Sequence, residues 1–212
     1  MKILILGHHG MLGNIVYKYF INKYDVEVIE ELRWDSDEFK IKIISSNADF
    51  IINCIGAIPQ KKYDKEFYEL LNVKLPMFLE KTGKKIVHPS TDCEFSGKLE
   101  YPQKYGKEDM RDADDDYGMS KAKISEMIVK YFKNTKMIRA SIIGHEESGH
   151  VSLLDWFLGV EESKEVNGYA NYYWNGITTL QWAKIAEQLI LDWNNYDVMV
   201  QIGVEGLHKC DL

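Results

Sequence analysis

Tyr117 and Lys121 stand four residues apart in Tyr117-Gly118-Met119-Ser120-Lys121, a spacing that sets a phenol and an ammonium on one face of a helix. A phenol of ordinary pKa, about 10, exchanges protons poorly at neutral pH until a nearby cation favours the phenolate. Lys121 is read as that cation. So tuned, Tyr117 suits giving a proton to a carbonyl oxygen as hydride reaches the carbon, and taking it back in reverse. Ser90-Thr91-Asp92 closes an apolar run, and Thr91 is placed to hydrogen-bond the same oxygen. Singly, these are a common helix-surface pair and a common cap. Their occurrence in order, after a glycine turn, is what points to catalysis.

That turn is Gly7-His8-His9-Gly10-Met11-Leu12-Gly13, set between the first apolar run and the first helical stretch. Glycines spaced this way make a tight turn, let backbone approach a pyrophosphate and pack helix on strand, with the anion at the helix N-terminus. Gly7, Gly10, Met11, Leu12 and Gly13 are therefore the expected dinucleotide cradle. An acid about 20 residues on holds the adenosine ribose in such sites, and Glu30 is in place for it. Arg33 suits a 2′-phosphate instead, so NAD and NADP both stay open. His8 and His9 are adjacent and have no carboxylate near in sequence, so they are read as turn residues and no metal is expected. Asp112 to Asp116 reads as a loop ending in a helix cap.

Elements that position these residues follow from periodicity. Lys2–Leu6, Val26–Glu30, Asp49–Cys54, Lys85–Pro89 and Lys136–Ile143 read as buried strands, separated by stretches of helical period. The expected fold is α/β, a Rossmann-type doubly wound parallel sheet. Helices are expected over 11–24, over 65–81 with Pro76 kinking or restarting it, and over 117–133. The polar stretch from Cys93 to Asp116 is a long loop, a class that is usually functional or disordered. Past Gly144 the pattern is irregular, with a short helix over 152–158, a helix over 179–193 and a strand over 198–204.

The 212 residues are 45% hydrophobic and 28% charged, which excludes a disordered chain. A net charge of −7 gives no broad basic field, so neither nucleic acid nor a membrane surface is an expected partner. No apolar run approaches the roughly 20 residues of a membrane span, nor is the first run long enough for a signal peptide, and a cytoplasmic protein is expected. Cys54, Cys93 and Cys210 are scattered and read as reduced thiols.

Four segments together resemble the extended short-chain dehydrogenase/reductase superfamily, and within it the dTDP-4-dehydrorhamnose reductase group. They are Gly10-Met11-Leu12-Gly13, Ser90-Thr91-Asp92-Cys93-Glu94-Phe95-Ser96-Gly97, Tyr117-Gly118-Met119-Ser120-Lys121 and Ile138-Arg139-Ala140-Ser141-Ile142-Ile143-Gly144. The resemblance spans residues 1–145 and rests most on the Ser-Thr-Asp stretch. It implies that Thr91, Tyr117 and Lys121 are catalytic, that hydride passes from NADPH or NADH to C4 of a 4-keto-6-deoxy nucleotide sugar, and that Tyr117 and Lys121 also meet the cofactor. It further implies that Gly56 and Ala57 pass the cofactor, that Asn72 is structural, and that Asp92, Asn171, Trp174 and Asn175 face substrate.

Cys93 and Glu94 depart from the aromatic and aliphatic residues usual in the group. Members of the group also continue further than residue 212. The resemblance thus implies a cofactor domain over 1–145 and a reduced substrate lobe over 146–212, interleaved with the sheet, as a homodimer or with a partner chain completing it. A nucleotide-sugar epimerase or dehydratase, and a catalytically idle dinucleotide-binding subunit, are the alternatives.

Overall fold

Runs buried on both faces need parallel neighbours and crossover helices, and the chain supplies them in strict alternation. In the computed structural model, which describes residues 1–30, 32–100, 102–149 and 151–212, β1 (Lys2–Leu6), α1 (Met11–Phe20), β2 (Asp25–Val28), α2 (Asp37–Ser45) and β3 (Phe50–Asn53) form the first half. A helical segment follows as α3 (Lys65–Tyr68), a π-helical stretch (Glu69–Lys74) and α4 (Leu75–Lys81), leading to β4 (Lys85–Ser90) and a 3-10 turn (Asp92–Glu94). Next come α5 (Asp116–Tyr131), β5 (Thr135–Arg139), β6 (Ile142–Ile143), α6 (Leu153–Leu158), β7 (Tyr173–Trp174), β8 (Ile177–Thr178), α7 (Thr179–Leu191), β9 (Met199–Gln201) and β10 (Leu207–His208).

Six strands pair in the order β2-β1-β3-β4-β5-β9, every pairing parallel. Alternate residues of each strand face opposite layers. Ile3, Ile5, Ile52 and Val87 meet Leu12, Val16 and Phe20 of α1 and Trp182, Ala186 and Leu189 of α7. Leu4, Leu6, Ile51 and Ile86 meet Phe39 and Ile43 of α2 and Leu71, Leu75 and Leu79 of the helical segment. Ile124 and Ile128 of α5 extend that second layer over Met137 and Met199. Strand order reverses between β1 and β3, the crevice where open α/β sheets bind ligands.

Several boundaries differ from the sequence expectation. The helix expected over 65–81 passes Pro76 without breaking, because the π-helical turn, closed by Leu75 N–H on Leu70 O, absorbs the register change just before a residue with no N–H. The run expected as one strand over 136–143 leaves the sheet after Arg139, where pairing ends on both sides at Ser90 and Gln201, and resumes as β6 beside β8. The chain after residue 145 returns to the sheet, contributing α7 and β9. Tyr19, Lys23 and Tyr24 bond to Glu187 and tie α7 to α1. No helix among the described residues is long and apolar enough to cross a membrane.

Candidate active site

The glycine turn is built by close approach. Gly7 has φ +78, and a Cβ on Gly13 would overlap the Gly7 carbonyl. Gly10 differs: it is the N-cap of α1 with no side-chain cap, and a Cβ there would meet only the Gly7 oxygen, at 3.4 Å. The first-turn N–H groups of Met11, Leu12 and Gly13 thus lie behind a residue without a side chain, a geometry that fits an anion.

Across the crevice, Gly56 is exposed and Ala57 buried on the loop after β3. Asn72, in the π-helical stretch, accepts from Ala57 N–H at 2.9 Å and donates to Ala57 O at 3.1 Å and Ser120 Oγ at 3.0 Å. One buried amide therefore fixes the loop to both the helical segment and α5.

At the end of β2, Glu30 reaches back to the turn. Its carboxylate lies 3.0 Å from His8 Nε2 and 3.5 Å from His9 Nε2, while His9 Nδ1 lies 3.3 Å from Glu147. Folding thus gives the two histidines the acid that local sequence lacks. The His8, His9 and Glu30 donor atoms lie within 4.8 Å of one another at the rim of the crevice, a grouping that local sequence did not show, and the hydrogen bond to Glu147 holds the His9 pKa above its usual value. Arg33 is exposed and engaged by Asp35 through bonds of 3.0 and 2.9 Å.

Thr91, Tyr117 and Lys121 converge at the carboxyl edge of β4. Thr91 caps the 3-10 turn, accepting from Cys93 N–H at 3.1 Å, and its hydroxyl lies 3.2 Å from Asp92 Oδ1. Asp115 caps α5 by accepting from Gly118 N–H at 2.8 Å. A Cβ on Gly118 would overlap the Cys93 carbonyl and the Ala113 side chain. The missing side chain lets α5 close on the turn and brings the half-buried Tyr117 phenol beside Thr91. Lys121, buried, donates to Pro89 O at 2.8 Å.

The electrostatics correct one expectation. Burial pushes the Tyr117 phenol well above its ordinary pKa, Cys93 adds to the rise, and the Thr91 hydrogen bond only partly opposes it. Burial also lowers Lys121 to about 8, against the attraction of Glu94 and Cys93. Removing both groups from water outweighs the lysine's expected pull toward phenolate. Tyr117 holds its proton at neutral pH, the state of a general acid.

Beneath the turn lies a charged cluster that sequence reasoning missed. Glu94, fully buried, accepts from Ser90 and Ser125 at one oxygen, and from Arg111 Nε at 2.8 Å and Arg139 Nη2 at 2.7 Å at the other. Arg139 also meets Gln201 at 2.8 Å and lies over the Phe95 ring, which stacks on Tyr105. The available signal was Glu94 at an apolar position of the motif together with an arginine inside a strand. The acidic run serves the same loop: Asp112 accepts from Ser96 N–H and Oγ, and Asp114 pairs with Lys98.

Asn171, Trp174 and Asn175 lie on and beside the β7–β10 ribbon. Trp174 is half-buried and donates to Ser141 Oγ at 2.9 Å, the Asn175 carbonyl accepts from Val204 N–H, and Asn171 is exposed. Among the described residues no hydrogen bond joins these three to Thr91 or Tyr117.

Residues 1–166 match the family model described as the RmlD substrate binding domain. The chain belongs to this family. Its fold is that of several solved relatives. A dTDP-4-dehydrorhamnose reductase of Clostridium acetobutylicum aligns with TM-score 0.76 and 21% identity over 96% of this chain and 74% of that one. A dTDP-4-dehydrorhamnose reductase of Bacillus anthracis in complex with NADP gives TM-score 0.84 and 16% identity over 98% and 76%. A Thermus thermophilus UDP-glucose 4-epimerase complexed with NAD gives 0.79 and 12% over 100% and 80%. Compared by sequence with curated proteins, the chain matches none.

Proposed function

We propose that this protein is an NAD(P)H-dependent oxidoreductase that reduces a 4-keto-6-deoxy nucleotide sugar, serving deoxysugar and surface polysaccharide synthesis. The observation that carries the reading is the convergence of Thr91 and Tyr117 at the carboxyl edge of β4, where α5 closes on the turn at Gly118, with buried Lys121 behind them. Family membership and solved relatives carrying NADP or NAD support it.

The turn residues Gly7, Gly10, Met11, Leu12 and Gly13 would hold the pyrophosphate, Gly56 and Ala57 would line the opposite wall, and Glu30 would take the adenosine ribose. Bound NAD(P)H supplies the hydride. As the carbonyl carbon is reduced, Tyr117 Oη gives its proton to the carbonyl oxygen, which Thr91 Oγ1 also holds. Burial keeps that proton in place at neutral pH. Lys121, charged below about pH 8, places one cation against this site.

Loss of NADH or NADPH absorbance with a panel of 4-keto sugar nucleotides tests the reading. Turnover is expected with at least one, and Tyr117→Phe should lower it roughly 100-fold or more while leaving dinucleotide affinity intact. Protein that binds dinucleotide yet turns over no panel member would refute it.

A further inference from the structure

β1 and β2 pair in parallel, so the turn after β1 and the chain just past β2 emerge at one edge of the sheet. That sets His8 and His9 against Glu30, with donor atoms of all three within 4.8 Å of one another. His8 Nε2 stands 3.0 Å from one Glu30 oxygen, and His9 Nε2 stands 3.5 Å from the other. Two ligand atoms held about 2.0–2.1 Å from a tetrahedral zinc ion lie about 3.4 Å apart, so both separations suit a shared metal. Among the described residues no lysine or arginine pairs with Glu30.

His9 is oriented from outside the trio. Its Nδ1 lies 3.3 Å from Glu147 Oε2, and because a carboxylate accepts, that nitrogen carries a hydrogen. Nε2 is then the nitrogen turned to Glu30, and between the two sits either a proton or a metal ion. A carboxylate on the far N–H of a ligating imidazole is the arrangement that fixes histidine in metal sites. A proton serves one histidine–carboxylate contact; a metal ion serves all three donors at once. His8 is held in place by burial, 7% exposed, with its ring 4.0 Å from that of His9 and 5.8 Å from that of Tyr17. The His9 and Glu30 side chains are exposed and free to close on an ion. Two imidazoles and a carboxylate suit zinc, cobalt or nickel better than calcium or magnesium, which prefer an all-oxygen shell.

We propose that His8, His9 and Glu30 form a three-ligand site for a divalent ion of the zinc class, with Glu147 positioning His9, and that the bound ion excludes a dinucleotide by occupying the Glu30 carboxylate. The exclusion rests on the reading of Glu30 as the acid of the adenosine ribose. Metal binding does not rest on it, and its test needs neither dinucleotide nor sugar, so the two fail separately.

Protein without a histidine tag, stripped with a chelator and titrated with zinc chloride by calorimetry, should bind one ion per chain at this site. Cobalt chloride should give the visible absorption of a four-coordinate ion, three protein ligands and a water, without the intense thiolate-to-cobalt band that binding at exposed Cys93 or Cys210 would produce. His9→Ala and Glu30→Gln should each abolish this binding, and Glu147→Gln should weaken it roughly 10-fold or more. With zinc at about ten times its dissociation constant, the apparent dissociation constant of NADH should rise about tenfold, and His9→Ala should remove that dependence on zinc. Absent zinc binding, binding that persists in His9→Ala and Glu30→Gln, or a cobalt spectrum dominated by thiolate would overturn the site. An NADH affinity indifferent to bound zinc would overturn the exclusion.

Discussion

Tyr117 and Lys121 were legible in the sequence as a pair, but their electrostatic relation was not. Helical spacing shows that two side chains share a face; it does not show how much water each loses, and here desolvation decides both pKa values. The consequence is a pH profile set by the lysine. With its pKa lowered to about 8, Lys121 is charged below that pH and neutral above it, so turnover should fall as pH rises through about 8. Lys121→Arg, whose guanidinium keeps its proton, should lower the rate and remove that limb; a limb unchanged in this variant would assign the ionisation elsewhere. Glu94 was hidden for a related reason. A carboxylate in a loop motif reads as solvated, and only the fold brings Arg111 and Arg139 to it. Glu94→Gln would leave buried arginine charge uncompensated and should destabilise the protein by about 3–5 kcal/mol in urea unfolding. A loss within 1 kcal/mol would mean that the arginines find other partners.

Strands and helices were readable wherever one period ran uninterrupted, as in β1, β4 and α5. They were less so where tertiary pairing ended an element, as after Arg139, or where a π-helical turn carried the chain past Pro76. Two glycines separate the work of two elements. Gly10 already has backbone angles open to alanine, φ −78 and ψ 164, and a Cβ there would meet only the Gly7 oxygen, at the N-cap of α1 where an anion would bind. Gly10→Ala should therefore fold normally and weaken dinucleotide binding at least tenfold by calorimetry. Gly118→Ala would force α5 away from the Cys93 carbonyl and separate Tyr117 from Thr91. Dinucleotide binding should survive in it while turnover drops about 100-fold, the loss a displacement of about 1 Å can produce. The reverse pattern in either variant would contradict the division of labour between the α1 and α5 N-termini.

At the scale of the molecule, the parallel sheet brings three distant segments to one crevice: the turn after β1, the Asn72-clamped loop after β3, and the Thr91–Tyr117 junction. The sequence revealed that the pieces belonged together, because strand-to-helix junctions at the carboxyl edge of such a sheet are where ligands bind. It left open which contacts the last third of the chain makes, since Trp174 and Asn175 carry side chains equally suited to ligand or to packing, and in the structure they brace the β7–β10 ribbon and its surroundings. What remains central is the direction and site of hydride transfer. NADH or NADPH deuterated at the transferred position of the nicotinamide, incubated with a 4-keto-6-deoxy nucleotide sugar, decides it by mass spectrometry and NMR of the product. The account predicts one deuterium at sugar C4 with one equivalent of oxidised dinucleotide. A sugar altered with no net oxidation of the dinucleotide, or deuterium at any other carbon, would contradict it.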